Sequence, residues 1–329
     1  MKYNYFKTIL IFVLGFGAIY WVYKFFAGPD SLNYILAHKE KLFILIFAHI
    51  PTLYFDALSW KMLMKKNYLG IYWCFIITWV SQTGGKVMPT GNVTGEFIRM
   101  YLSVKKGMKF SEASSTVIGD LALAAFSLLL MSIFSLMIVI FSNQEFSIIK
   151  GDNRYLGFSI LFLILASMIF CIMIRKRALK YLIRKSYKIV SFKMKKKLIS
   201  NLIKFDFELY LLSFRLKTVF FALIVRALGW VGGAFEIFIF LLIIGVNVEI
   251  MDVVIIESFT AIMRAMVFFV PAGLGVQEFA FVLVGNFVGL TSPVAFAVAI
   301  GRRIRELLVG IPALLAWYFL FKKNYNSTN

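Results

Sequence analysis

The chain has 329 residues, 61% hydrophobic and only 16% charged, with 36 Lys and Arg against 16 Asp and Glu. Uncharged runs of spanning length, about 20 residues, make it an all-α polytopic membrane protein, and no polar stretch is long enough for an independent soluble core. The formal charge of +20 would suit nucleic acid, but fourteen of the basic residues fall in one amphipathic segment, which excludes that partner in favour of a membrane surface.

In chain order, Lys2 and Lys7 accompany a first span, Phe6 to Phe26. It is too long for a signal-peptide core and no small-residue cleavage site follows, so a retained anchor is expected. The second span runs from Leu42 to Met64 and closes with Lys61, Lys65 and Lys66. The segment 71–102 begins and ends beside basic residues, and its middle, "TGGKVMPTGNVTG", holds four glycines and a proline. Such a composition predicts a broken hairpin that enters and leaves by one face, with Gly84, Gly85 and Gly95 at the break. The third span covers about Val117 to Phe141 and the fourth Leu156 to Ile174.

The basic segment 175–217 follows, opposed only by Asp206 and Glu208, and reads as a cytoplasmic amphipathic stretch. The fifth span covers Thr218 to Gly245. A second broken hairpin, 253–290, carries "PAGLG" with Pro271, Gly273 and Gly275. A final helix, interrupted by Arg302, Arg303, Arg305 and Glu306, ends at Lys322 and Lys323. Placing the basic loops inside gives six full spans, both termini cytoplasmic, and two hairpins entering from opposite faces. The expectation is one integral domain over 1–329, with a first half of about 1–141, the basic segment, and a second half of about 218–329. Interrupted helices in matching positions of two halves point to a transporter site.

Charges inside spans are costly and face a partner or a cavity. Glu257 and Arg264 are seven residues apart, on one helix face, while Arg226 and Glu236 share the fifth span and Asp56 and Asp120 lie in theirs. Glu278 and Glu96 each follow a Gly/Pro break, where a helix N-terminus favours negative charge. Other motifs lead nowhere. "GLG" follows no strand, "GGK" lacks the phosphate-loop spacing, His38 and His49 have no ligand cluster, and Cys74 and Cys171 read as packing residues. No metal, cofactor or catalytic constellation is expected, and the chain reads as a non-enzyme.

"GGKVMPTGNVTGEFIRMYLSVKKGMKFSEASSTVIGD" resembles the first signature of the lysylphosphatidylglycerol synthetase transmembrane-region superfamily, the flippase-like MprF/AglD type. "IIESFTAIMRAMVFFVPAGLGVQEFAFVLVGNFVGL" and "RRIRELLVGIPALLAW" resemble its hopanoid-associated HpnL branch. By position the resemblance singles out Gly95, Glu96, Arg99, Asp120, Glu257, Arg264, Pro271, Gly273, Gly275, Gln277, Glu278, Arg303 and Glu306. It implies a bacterial inner-membrane protein that moves or binds an anionic or isoprenoid-type lipid, with lipid-biosynthesis enzymes as further partners. The synthetases carry a soluble aminoacyl-transferase domain after the membrane part. Here the sequence ends at "FKKNYNSTN", so that catalysis is not expected. The alternatives are a scaffold for lipid or glycan assembly enzymes and a membrane-embedded transferase using Glu96, Asp120 or Glu278 as base.

Overall fold

A computed structural model describes residues 5–65, 67–88, 92–141, 172–177, 180–181, 196–267 and 270–322. The described residues are helical, with no strand among them. Helix α1 (Tyr5–Val22) tightens into a π-helical turn (Tyr23–Ala27), and the short α2 (Asp30–Ala37) leads to α3 (Ile44–Leu63). The first hairpin is α4 (Ile71–Val87) and α5 (Asn92–Lys105), followed by the long α6 (Phe110–Phe141). After a stretch outside the described residues come α7 (Lys196–Ser213) and α8 (Leu216–Ile243). The second hairpin is α9 (Ile250–Met266) and α10 (Val276–Phe287), and α11 (Ser292–Lys322) closes the fold.

Among the described residues, three helical stretches are long and apolar enough to cross a membrane: Lys39–Leu63, Phe110–Phe141 and Leu216–Ile243. They match the second, third and fifth expected spans. The fourth, 156–174, lies outside the described residues except for its last three. Helix α11 is 31 residues long, but its middle carries Arg302, Arg303, Arg305 and Glu306.

Each hairpin anchors its own apolar core. Around the first, Ile77 and Val80 of α4 and Leu102 of α5 pack on Trp60 of α3 and Val117 of α6. Around the second, Ile255 and Ile256 of α9 and Phe281 of α10 pack on Phe240 of α8 and Val298 of α11. The joint between the halves is α3 against α8. Gly229, Gly232 and Gly233 form one face of α8, and Cβ atoms there would strike Asp56, Thr52 and Glu257. Small residues let helices approach to backbone contact, where dispersion and polar pairs hold them in the absence of water.

Three expectations need correction. Gly84 and Gly85 do not break the first hairpin, because α4 continues through both to Val87. Gly95 lies inside α5, and the interruption falls after Val87. These glycines serve close packing: a Cβ at Gly95 would sit 2.7 Å from the Ser81 carbonyl oxygen and 3.3 Å from the Gly85 Cα. Pro271, Gly273 and Gly275 do lie in the second break, but that break is longer than "PAGLG", since α9 already ends at Met266. The C-terminal part of the basic segment packs on protein. Leu209 and Leu212 of α7 pack on Leu63, Leu123 and Ala222, while Arg177 pairs with Asp206 at 2.8 Å.

Candidate functional site

The intramembrane charges gather in two networks. In the first, α5 places Arg99 one turn beyond Glu96, so that its guanidinium reaches Asp120 of α6 at 2.7 Å and Glu96 at 3.6 Å. Arg226 of α8 closes the network from the other side, 3.1 Å from Asp56 of α3 and 3.3 Å from Asp120. Ser59 donates to Asp120, Ser81 accepts from Arg99 Nε, and Gln82 donates to Asp56 at 2.8 Å. The indole of Trp60 lies 5.4 Å from the Arg99 guanidinium carbon, within cation–π range. Arg99, Asp56 and Asp120 are buried, so water cannot screen them.

The second network is built on the break between α9 and α10. Ala272 has φ +51°, Gly273 +60° and Gly275 +81°, so the chain turns sharply and exposes backbone groups to its own interior. Glu278 answers the first turn of α10: its Oε2 accepts from the Gly275 N–H at 2.8 Å. Its Oε1 accepts from Arg303 Nε of α11 at 2.6 Å. Arg303 also donates to the carbonyls of Ala272 and Gly273, at 2.8 and 3.3 Å, and to Glu306 at 3.0 Å. A helix break leaves carbonyls without intrahelical partners, and Arg303 satisfies two of them.

Deeper in, Glu236 of α8 accepts from Arg305 at 2.8 Å and lies 2.8 Å from His49 Nδ1. Arg302 pairs with Glu257 at 2.7 Å, and Arg264 reaches Glu257 and Gln277 only at 3.3 and 3.4 Å. Lys86, at the end of α4, pairs with Glu306 at 3.1 Å and so joins the first hairpin to this network.

Beside the second network lies a cavity of about 430 Å³. His49, Gln82, Lys86, Arg303, Arg305 and Glu306 are its polar and charged lining residues, with Thr83. Phe16 of α1, Leu53 of α3, Leu274 of the break and Leu307, Ile311 and Leu314 of α11 form its apolar wall. Helix α1 flanks the cavity by packing on the break itself, with Gly15 against Leu274 and Ala18 against Gly275.

The sequence-predicted residues therefore do not form one cluster. Glu96, Arg99 and Asp120 sit in the first network, and Glu257, Arg264, Gln277, Glu278, Arg303 and Glu306 in the second. Of these, only Arg303 and Glu306 line the cavity. Lys86, His49 and Arg305 line it without having been singled out as site residues, and Asp56 and Arg226 complete the first network. Among the described residues, no three His, Cys, Asp or Glu side chains are placed to hold a metal ion.

The family model described as the lysylphosphatidylglycerol synthase TM region matches residues 8–313, nearly the whole chain. The chain belongs to that family. Membership makes it a membrane protein with a lipid-related function. No curated protein and no solved structure matches it.

Proposed function

We propose that this member of the lysylphosphatidylglycerol synthase TM region family is a flippase-like transporter that binds an amphipathic lipid by its anionic or phosphate headgroup and moves it across the bilayer. The observation that carries the reading is a largely apolar cavity with basic side chains in its lining. Lys86 and Arg305 in the same lining as Phe16, Leu307, Ile311 and Leu314 match a charged headgroup joined to an acyl or isoprenoid tail. Headgroup phosphate prefers guanidinium and ammonium donors in a site without water, and tails keep their contact with hydrocarbon. The interrupted α4–α5 and α9–α10 pairs would act as re-entrant hairpins in an inverted repeat, and access would be sideways from lipid. The resemblance to the HpnL branch and a bacterial inner-membrane location belong to the same reading, as does the absence of catalysis.

A scaffolding role is the second reading. It rests on the near-complete pairing of the intramembrane charges with one another, which suffices to hold helices together. The cavity favours transport, because a scaffold needs no amphipathic hollow behind α1.

The experiment is reconstitution of the purified chain in vesicles containing a headgroup-labelled anionic lipid, with dithionite reduction from outside as the readout. Transport predicts loss of the label from both leaflets with the wild-type chain. Arg305→Gln, which removes the charge and the Nη donors but keeps a polar side chain, should slow exchange about tenfold or more. Wild-type vesicles that protect the inner leaflet as empty ones do would sink the transport reading.

A further inference from the structure

We propose that the first network binds one proton, carried on Glu96. The site is separate from the cavity and stands whether or not the cavity takes a lipid.

Three carboxylates meet two guanidiniums here. Asp56 of α3, Glu96 of α5 and Asp120 of α6 face Arg99 of α5 and Arg226 of α8. Each answers to the others. The charges acting most strongly on Glu96 are Arg99, Asp120, Arg226 and Asp56, and those on Asp56, Arg99 and Arg226 come from the same set. Helix α4, which packs on α5, contributes one charged side chain, Lys86, and Glu306 takes it at 3.1 Å. Glu112, the other acid of α6, accepts from the Lys65 backbone N–H instead. Fully ionised, the five groups therefore hold one negative charge in excess. Beside the buried Asp56, Arg99 and Asp120 such a charge is costly, so a single unit of positive charge completes the set.

Hydrogen bonding shows which carboxylate is left over. Asp120 accepts from Arg99, Arg226 and Ser59, while Asp56 accepts from Gln82 and lies 3.1 Å from Arg226. Glu96 stands 3.6 Å from Arg99, beyond hydrogen-bonding distance, and its buried Oε2 has no partner among the described residues. Two further buried hydroxyl oxygens, of Thr52 and Thr78, are also without a partner. Thr52 is one turn before Asp56, and Thr78 is one turn before Ser81 and Gln82, so both share the helix faces that carry the network. Orphaned buried oxygens are uncommon, and a protonated carboxyl brings the O–H donor that an ionised one lacks. The Glu96 side chain is 22% exposed, against 10% for Asp56 and 1% for Asp120, so of the three it is the one with a route for exchange. A proton fits better than a metal ion, since no three acidic side chains among the described residues are placed to ligate one.

The test is carbodiimide labelling of the purified full chain in detergent, read by mass spectrometry of the peptide that contains Glu96. Dicyclohexylcarbodiimide enters apolar sites and reacts with the protonated carboxyl, so the label reports the proton. It should modify Glu96 ahead of Asp56 and Asp120. Labelling should fall as pH rises, approaching about tenfold per unit once the site is mostly ionised. A chain that holds a proton when folded and releases it on unfolding gains stability on acidification, so the wild-type unfolding midpoint should rise from about pH 9 to about pH 6. Glu96→Gln should flatten that slope. If the variant fails to accumulate, labelling of the wild-type chain decides alone. Glu96 unlabelled at every pH, or an equal slope in the variant, overturns the proposal. Labelling blocked by sodium chloride and not by potassium chloride overturns it too, and gives the site to a metal cation. Each of these outcomes leaves the lipid-exchange assay untouched, so the two readings fail separately.

Discussion

Asp120 accepts from Arg99 and Arg226 with the same oxygen, at 2.7 and 3.3 Å, while its other oxygen takes Ser59. Two guanidiniums from different helices therefore depend on one carboxylate. Glu96 stands differently: it is 3.6 Å from Arg99, and its Oε2 has no hydrogen-bond partner. The first network holds one carboxylate more than its arginines require, and Glu96 is the least engaged of the three. Asp120→Asn should take from the buried Arg99 its close carboxylate, leaving it Glu96 at 3.6 Å, and cost about 3–5 kcal/mol, seen as loss of the protein from membranes. Glu96→Gln should leave abundance near normal and lower the unfolding midpoint in detergent only slightly. Equal losses in the two variants would refute this ranking. The sequence displayed these residues as charges inside apolar runs, which singles them out by expense alone. It did not display their partners, since His49 meets Glu236 across 187 positions and Arg305 meets it across 69. Lys86 went unnoticed as a site residue because a lysine at a helix end beside a glycine-rich stretch reads as a solvated boundary.

Helix extents were legible where apolar length or a proline dictated them, and misread where glycine served packing. Gly84, Gly85 and Gly95 look like breakers in isolation, but α4 and α5 cross with backbone atoms in contact, and only glycine permits that. Gly95→Val should force the pair apart, because its Cβ meets the Ser81 carbonyl rather than a movable side chain. A cost of about 1–3 kcal/mol is expected, read as a lower unfolding midpoint of the purified chain. The second break contains a glycine of the other kind. Gly275 has φ +81°, and a Cβ there would strike Ala18 of α1. Gly275→Ala should cost about 1–2 kcal/mol from the backbone term alone and loosen α1 from the cavity wall. Gly17→Ala is the matched control, since a Cβ there meets nothing within 4 Å. Similar midpoints for the Gly275 and Gly17 variants would remove the role given to α1.

For the whole molecule, orientation follows from where the basic residues fall. The described helices place Lys61, Lys65, Lys105, Lys106 and Lys109 at or just beyond the ends of α3 and α5 and the start of α6, on the side to which α7 docks through Leu212 and the Lys65–Glu208 pair. The segment 175–217 carries fourteen basic residues, so this side should face the cytoplasm, where anionic lipid and the insertion machinery both favour positive charge. The short connection between α8 and α9, 244–249, should then face outside. Removing Cys74, which is buried, and Cys171 gives a background for single cysteines at positions 190 and 247. A membrane-impermeant maleimide added to intact cells should label position 247 and leave position 190 unlabelled until the membrane is opened. The reverse pattern would invert the molecule, placing helix α7 and the basic segment 175–217 on the side away from the cytoplasmic leaflet.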